Sequence, residues 1–558
     1  DGIDLAVSTD QGMTWQIKSR IITSPYGTSR GNTTDFPQQT YHYGDGDPRL
    51  VVDAASGYFY VYYGSRVVDK NGGWAAFHAH VARAPISGKM AAGSWQKWYD
   101  GQWNQPGVGG KESNMVPVST SSTTGYTPAS AEYSPSSTGS VAQQVSAGTT
   151  PPTSPLFVMD VAWNAYLGLW IGEPQAVDQS GNAPQQIYAT PDLTTQKWTL
   201  LGDTGSYHTA SWYRWFLDPV SKTSSSIVGK DVRMYCSFGC SGGKSGEYVN
   251  VSLGGPISAP VDTAKVYQLG AAGRLLAQSA TGTTVTSTAA DNGRANWRFT
   301  ATGDGAYTVT NTTTGALLGV NSTANSGRAW GAVLTAGSAG TPTVGQQWWV
   351  IQNRSSADNS ADGTYRLVNR YSGLTVALSS ASGRLAETTP VRSWTDTTGS
   401  TVGGSRTAAE QRLSLTPVGS TGTLDGPHSI SAGSRSVDDP NHSTTVGTQL
   451  VLWTSNTGSN QSWQFSSQAD GSYTLKNGES GLCADVSGGS TAAGAQVIQW
   501  TCTGGTNQRW NVSAQADGSY SITSVKSGLL LSATANADGT GLTQQAPSSS
   551  MVQSWSIR

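Results

Sequence analysis

The sequence predicts an all-β protein, and three observations carry that reading. Gly (68) and Trp (20) are abundant, charged residues make up only 12% of the chain, and short alternating strands recur at near-constant spacing through the second half. Glycine-rich turns between aromatic, alternating segments favour strands over long helices. At about 150 residues per domain, 558 residues leave room for three or four domains. The charge balance also excludes partners. Lys+Arg of 33 against Asp+Glu of 35 gives a net charge of −2, which argues against a phosphate-tracking nucleic-acid binder and against adhesion to anionic membranes. No run of about 18 apolar residues occurs, so no membrane-spanning helix is expected. No basic segment followed by an apolar one stands at Asp1, so any signal peptide is expected to lie outside this sequence.

Residues 1–262 open on Ser8-Thr-Asp10-Gln-Gly12-Met-Thr14-Trp15, a hairpin phrase in which Asp10 is expected to bond its own turn and Trp15 to pack between neighbouring sheets. It resembles the Asp-box of sialidase-like β-propellers. The phrase IYATPDLTTQKWTLLG (187–202) resembles strands of five-bladed glycosidase propellers. Three strand–turn–strand pairs, at 48–66, 155–172 and 211–239, join an apolar strand to an aromatic-rich one and read as blade cores. Residues 118–154 are rich in Ser, Thr, Pro and Gly and read as a long surface excursion. The resemblance implies a β-propeller of about three and a half blades, with the inner strand of the first blade expected before residue 1 or supplied from elsewhere.

Propellers place ligands at the axis, on the first residues of their innermost strands. Those residues here are Asp45 and Asp47 in YHYGDGDPRL, Glu112 in GVGGKESNMVP and His208 in GDTGSYHTASW. Glycoside hydrolysis needs two carboxyl groups across the scissile bond, one protonated and one ionised. A Glu after a Gly-rich turn, beside aromatic walls, can have its pKa raised enough to serve as the acid. Resemblance to arabinanase- and fructosidase-like enzymes implies that Glu112 is that acid and that Asp47, in Asp-Pro, tunes it. The base of those families sits on the first blade's inner strand, so Asp45 is the candidate substitute. Glu173 is a second-choice acid, with an ordinary surface glutamate as the alternative. His208 is read either as a sugar contact or as a core or rim histidine. No phosphate-cradling Gly loop, Ser–His–Asp phrase or metal cluster is found, so no cofactor or metal is expected.

In the second half Gln-X-Trp recurs at Gln461-Ser-Trp463, Gln508-Arg-Trp510 and Gln553-Ser-Trp555, 47 and 45 residues apart. The phrase at 468–486 returns at 515–533. Each unit is too small to bury a face alone, and three closing around one axis give a β-trefoil. A diverged copy precedes it, with DGAYTVTNTTTGALLGV (304–320) and DGTYRLVNRYSGLTVAL (362–378). Its ladder reads Ala295-Asn-Trp297, Gln347-Trp-Trp349 and Gln411-Arg-Leu413, and the Trp residues are expected to be core plugs. The chain thus divides into a β-propeller at 1–262 followed by two β-trefoils at 263–418 and 419–558.

These repeats resemble the ricin-type β-trefoil lectin family. Its sugar sites combine an Asp after the first strand, a later aromatic platform and an amide before the Gln. The resemblance implies one site at Asp438, Trp453, Asn460 and Gln461, and another at Asp485, Trp500, Asn507 and Gln508, each with Asp and Trp 15 residues apart. The alternative for Asp438 and Asp485 is a turn-capping role. In the third repeat the Asp position is Ser532 and no aromatic follows, so that site is expected to be lost; in the first trefoil it is Ala277, Gly319 and Ala377, which leaves that domain as either a spacer or a module that binds differently.

The cysteines fall into two pairs, Cys236 with Cys240 and Cys483 with Cys502. They read as two disulfides, with free buried thiols as the alternative, and no Cys or His stands nearby at metal spacing. Scarce Lys, abundant Ser, Thr and Gly, and paired Cys suit an extracellular protein. The expected function is that of a secreted glycoside hydrolase acting on an arabinan-, arabinogalactan- or galactan-like polysaccharide and held to it by lectin domains. The alternative is a non-catalytic lectin or adhesin whose propeller is itself a binding module.

Overall fold

The computed structural model describes residues 2–558 apart from 11, 30, 176–182, 210–211, 238–239, 241–245, 281, 290, 339, 382–383, 392–405, 421–423, 469–471, 515–518 and 549. Parts of the repeated phrases, 469–471 and 515–518, therefore lie outside the described residues. The chain is all-β, as its composition predicts.

Among the described residues, the first half folds as four separate sheets. The hairpin β1 (Gly2–Val7) and β2 (Gln16–Thr23) carries the opening phrase between its strands. Asp10 accepts from Ser8 Oγ, Thr14 N and Thr14 Oγ1, closing its own turn as expected. Trp15, however, is exposed rather than packed between sheets, its indole N–H donating to the Gly12 carbonyl.

A five-stranded antiparallel sheet follows: β3 (Thr40–Asp53), β4 (Tyr58–Asp69), β5 (Trp74–Pro85), β6 (Gln96–Tyr99) and β7 (Gln102–Pro106). Both faces of β4 are buried, which is why it reads as a continuous apolar and aromatic run rather than an alternating one. The Ser/Thr-rich excursion is not loose surface. Its helix α1 (Val141–Ser146) starts with a Ser140–Gln143 capping box, buries Val141 and Gln144, and packs against β4 and β5.

The next sheet joins β8 (Asp160–Asn164), β9 (Leu169–Glu173), β10 (Pro184–Thr190) and β11 (Thr199–His208), with β12 (Arg214–Leu217) in a neighbouring sheet. The strand expected to begin near 155 starts at Asp160. In the neighbouring sheet β12 pairs with Asp231–Cys236, and that strand with Glu247–Ser252.

Among the described residues of the second half, two thirteen-stranded sheets follow, the first formed by strands between Lys265 and Ser420 and the second by strands between Gly426 and Ile557. Each surrounds its own apolar core. In the second, the indole N–H groups of Trp463, Trp510 and Trp555 donate to the carbonyls of Val437, Ala484 and Leu531, and all three rings are fully buried. Trp297 and Trp348 make the same bond to Leu276 and Leu318 in the first. The plug there is thus Trp348, so the triplet is Gln346-Gln347-Trp348 and not the Gln347-Trp-Trp349 expected. Adjacent residues on a strand face opposite ways. Trp349 accordingly leaves the core and packs with Ala165, Val368 and Ala306 against the first half.

That contact is a built interface. Arg370 lies over Trp349 and donates through Nε and Nη2 to both oxygens of buried Asp218 (3.1 and 2.6 Å) and through Nη1 to Asp304 (2.7 Å). Gly305, at φ +100°, sits where an added Cβ would lie 2.5 Å from the Tyr166 nitrogen, so glycine permits the close approach.

Candidate functional site

Strand register shows which repeats place an acid beside an open aromatic ring. Asp438 lies opposite Val451 and Asp485 opposite Ile498, and two residues further along each partner strand stand Trp453 and Trp500. Both indoles are large apolar surfaces left open, 47% and 43% exposed, beside buried carboxylates. Asp438 Oδ2 accepts from Asn460 Nδ2 (2.8 Å) and Gln461 Nε2 (2.7 Å). Asp485 Oδ2 accepts from Asn507 Nδ2 (2.9 Å) and Gln508 Nε2 (2.7 Å). In each case the amides hold one carboxylate oxygen and leave Oδ1 for sugar hydroxyls, while the indole offers a face for the pyranose C–H groups. The eight residues expected at these sites are brought together in two matching groups.

The same register shows what the other four repeats lack. The Asp positions hold Ala277, Gly319, Ala377 and Ser532, and the platform positions hold Thr288, Gly337, Thr389 and Gln545. At Ser532 the amide of Gln553 donates to a hydroxyl (2.9 Å) in place of a carboxylate.

The Cys483–Cys502 disulfide ties the strand of Asp485 to the chain just beyond Trp500. In the preceding repeat, Ser436 and Ser455 occupy these places and share a hydrogen bond of 2.9 Å. Cys236 and Cys240 form the second disulfide.

The two sites differ at the next residue. Val486 is a fully buried core side chain, whereas its counterpart Asp439 is fully buried with neither carboxylate oxygen bonded. Burial, then the charges of Asp438 and Glu479, push the Asp439 carboxyl up to about 6, partly offset by His442, which pairs with Glu479 at 2.8 Å. A folded-state pKa above the unfolded value favours the native fold below about pH 4, and that contribution is lost as pH rises through about 6. Asp439→Val is therefore expected to raise stability by about 1–2 kcal/mol at pH 8, with the gain vanishing near pH 4. Denaturant unfolding at the two pH values checks this.

In the first half, sheet pairing gathers distant residues. Lys97, fully buried on β6, donates to Glu112 Oε2 (2.5 Å), Asp45 Oδ2 (3.4 Å) and the Thr23 and Gly110 carbonyls. Tyr63 donates to Glu112 at 2.8 Å. Burial opposes ionisation of Glu112, but Lys97, by charge and hydrogen bond, together with His80 and His42 brings the carboxyl down to about 2. Burial, then the Glu112 charge, push Asp45 well above the usual range. The Glu112 carboxyl is thus ionised, and the raised pKa expected of it belongs to Asp45.

Burial keeps three adjacent histidines neutral. His42 Nδ1 accepts from Gly44 N, His80 Nδ1–H donates to the Ser113 carbonyl, and His78 Nε2–H donates to the Pro151 carbonyl. His42, Asp45 and Glu112 offer ligand atoms within 4.8 Å of one another, a grouping that spacing along the chain does not show, and the Lys97 ammonium already supplies a cation there.

Asp47 belongs to a different group. It adopts φ +53°, pairs with Arg66 and accepts from Tyr213 Oη at 3.2 Å, with Trp74 exposed beyond the Arg66 guanidinium. Glu173 is not a surface residue. It is fully buried opposite Asp160, with Arg214 at 3.9 Å, and burial raises its carboxyl well above the usual range. His208, at the end of β11, is exposed.

Sequence reasoning missed Lys97 and Glu132. Glu132, in the Ser/Thr-rich excursion, accepts from Asn114 N (2.7 Å), and burial pushes it up to about 8. Lys97 was detectable as a lone charge between Trp95 and Trp98. The alternation of His78 and His80 likewise puts both on one face of β5.

Residues 296–394 and 459–545 match the family described as ricin-type beta-trefoil lectin domain-like. No curated protein matches the chain. Among solved structures, the designed three-fold symmetric protein ThreeFoil is 32% identical over 24% of this chain and 98% of its own, with a TM-score of 0.23. An exo-beta-1,3-galactanase from Clostridium thermocellum, 1,3Gal43A, is 14% identical over 100% of this chain and 89% of its own (TM-score 0.23). A mosquitocidal holotoxin is 14% identical over 72% of this chain, which spans 47% of the toxin's length (TM-score 0.25). With the family match and the repeated Asp–Trp–amide geometry in hand, the C-terminal half of the chain, residues 296–545, is a ricin-type β-trefoil lectin region.

Proposed function

We propose that the protein is a secreted glycoside hydrolase that holds an arabinan-, arabinogalactan- or galactan-like polysaccharide through its last trefoil. In this reading the four sheets of residues 1–262 are blades of a propeller. The observation that carries the hydrolase reading is the buried pair Asp45 and Glu112, whose pKa values are driven apart around one lysine. Such a separation assigns acid and base. Asp45 is the proton donor and Glu112 the ionised partner, the reverse of the roles the sequence resemblance implies. One carboxyl oxygen of Asp45 and one of Glu112 lie within 4.8 Å of each other. Secretion is supported by the two disulfides.

A second reading, a non-catalytic carbohydrate-binding protein, is favoured by the complete burial of Asp45 and Lys97. Reducing-sugar release from arabinans, arabinogalactans and galactans separates the two. Release by the wild type that falls at least a hundredfold in Glu112→Gln, with polymer binding intact, is the expected result. Binding without release in either protein refutes the hydrolase reading.

A further inference from the structure

Between the first half and the first trefoil lies a cavity of about 490 Å³ that none of the groups above uses. Leu50 and Val52, on β3, line it although they are 55% and 48% exposed, so apolar surface has been left open where two domains meet. Trp163 contributes an aromatic wall, and the Arg354 guanidinium lies over its ring at 5.6 Å. From the trefoil side comes Arg366. This side chain is almost fully buried and donates Nη1 to the Ala54 carbonyl, but its Nε–H has no acceptor. A buried guanidinium N–H without a partner is costly unless something else supplies the acceptor.

The acids lining the cavity are already engaged. Asp53 accepts from Ser56 Oγ, Ser56 N and Ala55 N, and Asp160 Oδ2 accepts from Phe216 N. Burial raises both carboxyls, Asp160 to about 6. Among the described lining residues, Arg366 Nε and Trp170 Nε1 are buried donors without an acceptor, while Arg354 gives Nη1 to the Pro191 carbonyl at 3.5 Å and keeps its other N–H groups for a ligand.

We infer that this cavity binds a saccharide bearing a carboxylate, such as a uronic acid unit, with Trp163, Leu50 and Val52 against the sugar face and Arg354 and Arg366 on the carboxylate. A planar guanidinium matches a carboxylate in geometry and charge, and an indole beside alkyl groups matches the C–H face of a pyranose. The inference rests on the carbohydrate-active reading for its ligand class only and is independent of hydrolysis by the first half.

The test uses the full chain carrying Asp438→Asn and Asp485→Asn, which silences the lectin sites. The probes are an oligogalactoside with one terminal glucuronic acid and the same oligogalactoside without it, titrated calorimetrically. The charged probe is expected to bind at least tenfold more tightly than the neutral one. Leu50→Trp, which fills the mouth from an exposed position, and Arg354→Gln are each expected to weaken it at least tenfold, with thermal unfolding unchanged. No saturable binding of the charged probe, equal binding of the two probes, or binding indifferent to both substitutions would overturn the inference. Reducing-sugar release by the unmodified chain is scored separately, so failure of one reading is distinguishable from failure of the other.

Discussion

Replacing Lys97 with methionine is expected to cost the first half about 3–5 kcal/mol, because it strands a buried carboxylate without its cation. Lys97, Asp45 and Glu112 form a nearly closed charge group: one ammonium, one carboxylate and one carboxyl kept protonated by burial. Removing the ammonium forces Glu112 either to remain charged in an apolar setting or to take up a proton. The penalty is therefore largest near neutral pH and shrinks as pH falls below about 4, where both acids are neutral in the unfolded chain as well. Urea unfolding followed by the tryptophans of the first half reads this directly. An unchanged transition would show that the ammonium does not hold this region together.

The second large effect concerns polymer binding. Trp453→Ala and Trp500→Ala, each removing an exposed platform, are expected to weaken binding to a polysaccharide about a hundredfold. Either change leaves monosaccharide affinity at the other site intact. Two weak sites on one trefoil act through effective concentration, so losing one removes avidity rather than a fixed share of the contact energy. The rings are open to solvent and outside the core, so neither variant should alter thermal unfolding. Polymer affinity that falls only about twofold for each variant would show that the sites act independently.

The second trefoil was largely legible because its information is local and repeated. Asp438 and Trp453, and Asp485 and Trp500, keep their spacing because each pair sits on paired strands, and the following amides close the same carboxylate. The pairing of Ser436 with Ser455 where the next repeat has a disulfide was hidden, since a hydroxyl pair leaves no sequence signature. In the first trefoil the doubled Trp348-Trp349 obscured the register, and the indole bond to Leu318 together with the place of Trp348 in the core identifies the plug.

The carboxylate group of the first half was legible only in part. Asp45 and Glu112 were detectable as acids near glycine turns, but the side chain that sets their ionisation, Lys97, meets them through pairing of strands far apart in sequence. Asp47 and Asp45 stand two residues apart, yet the left-handed backbone at Asp47 turns that side chain to Arg66 and Tyr213 instead. Such a twist is not readable from a Gly-Asp-Gly-Asp-Pro phrase.

Calorimetric titration with galactose oligomers too short to bridge the Asp438 and Asp485 sites measures whether carbohydrate binding resides in these two sites of the last trefoil. Two binding sites per chain are expected in the wild type, one in Asp438→Asn, one in Asp485→Asn and none when both are changed. Binding that persists in the double variant, or more than two sites in the wild type, would contradict this assignment.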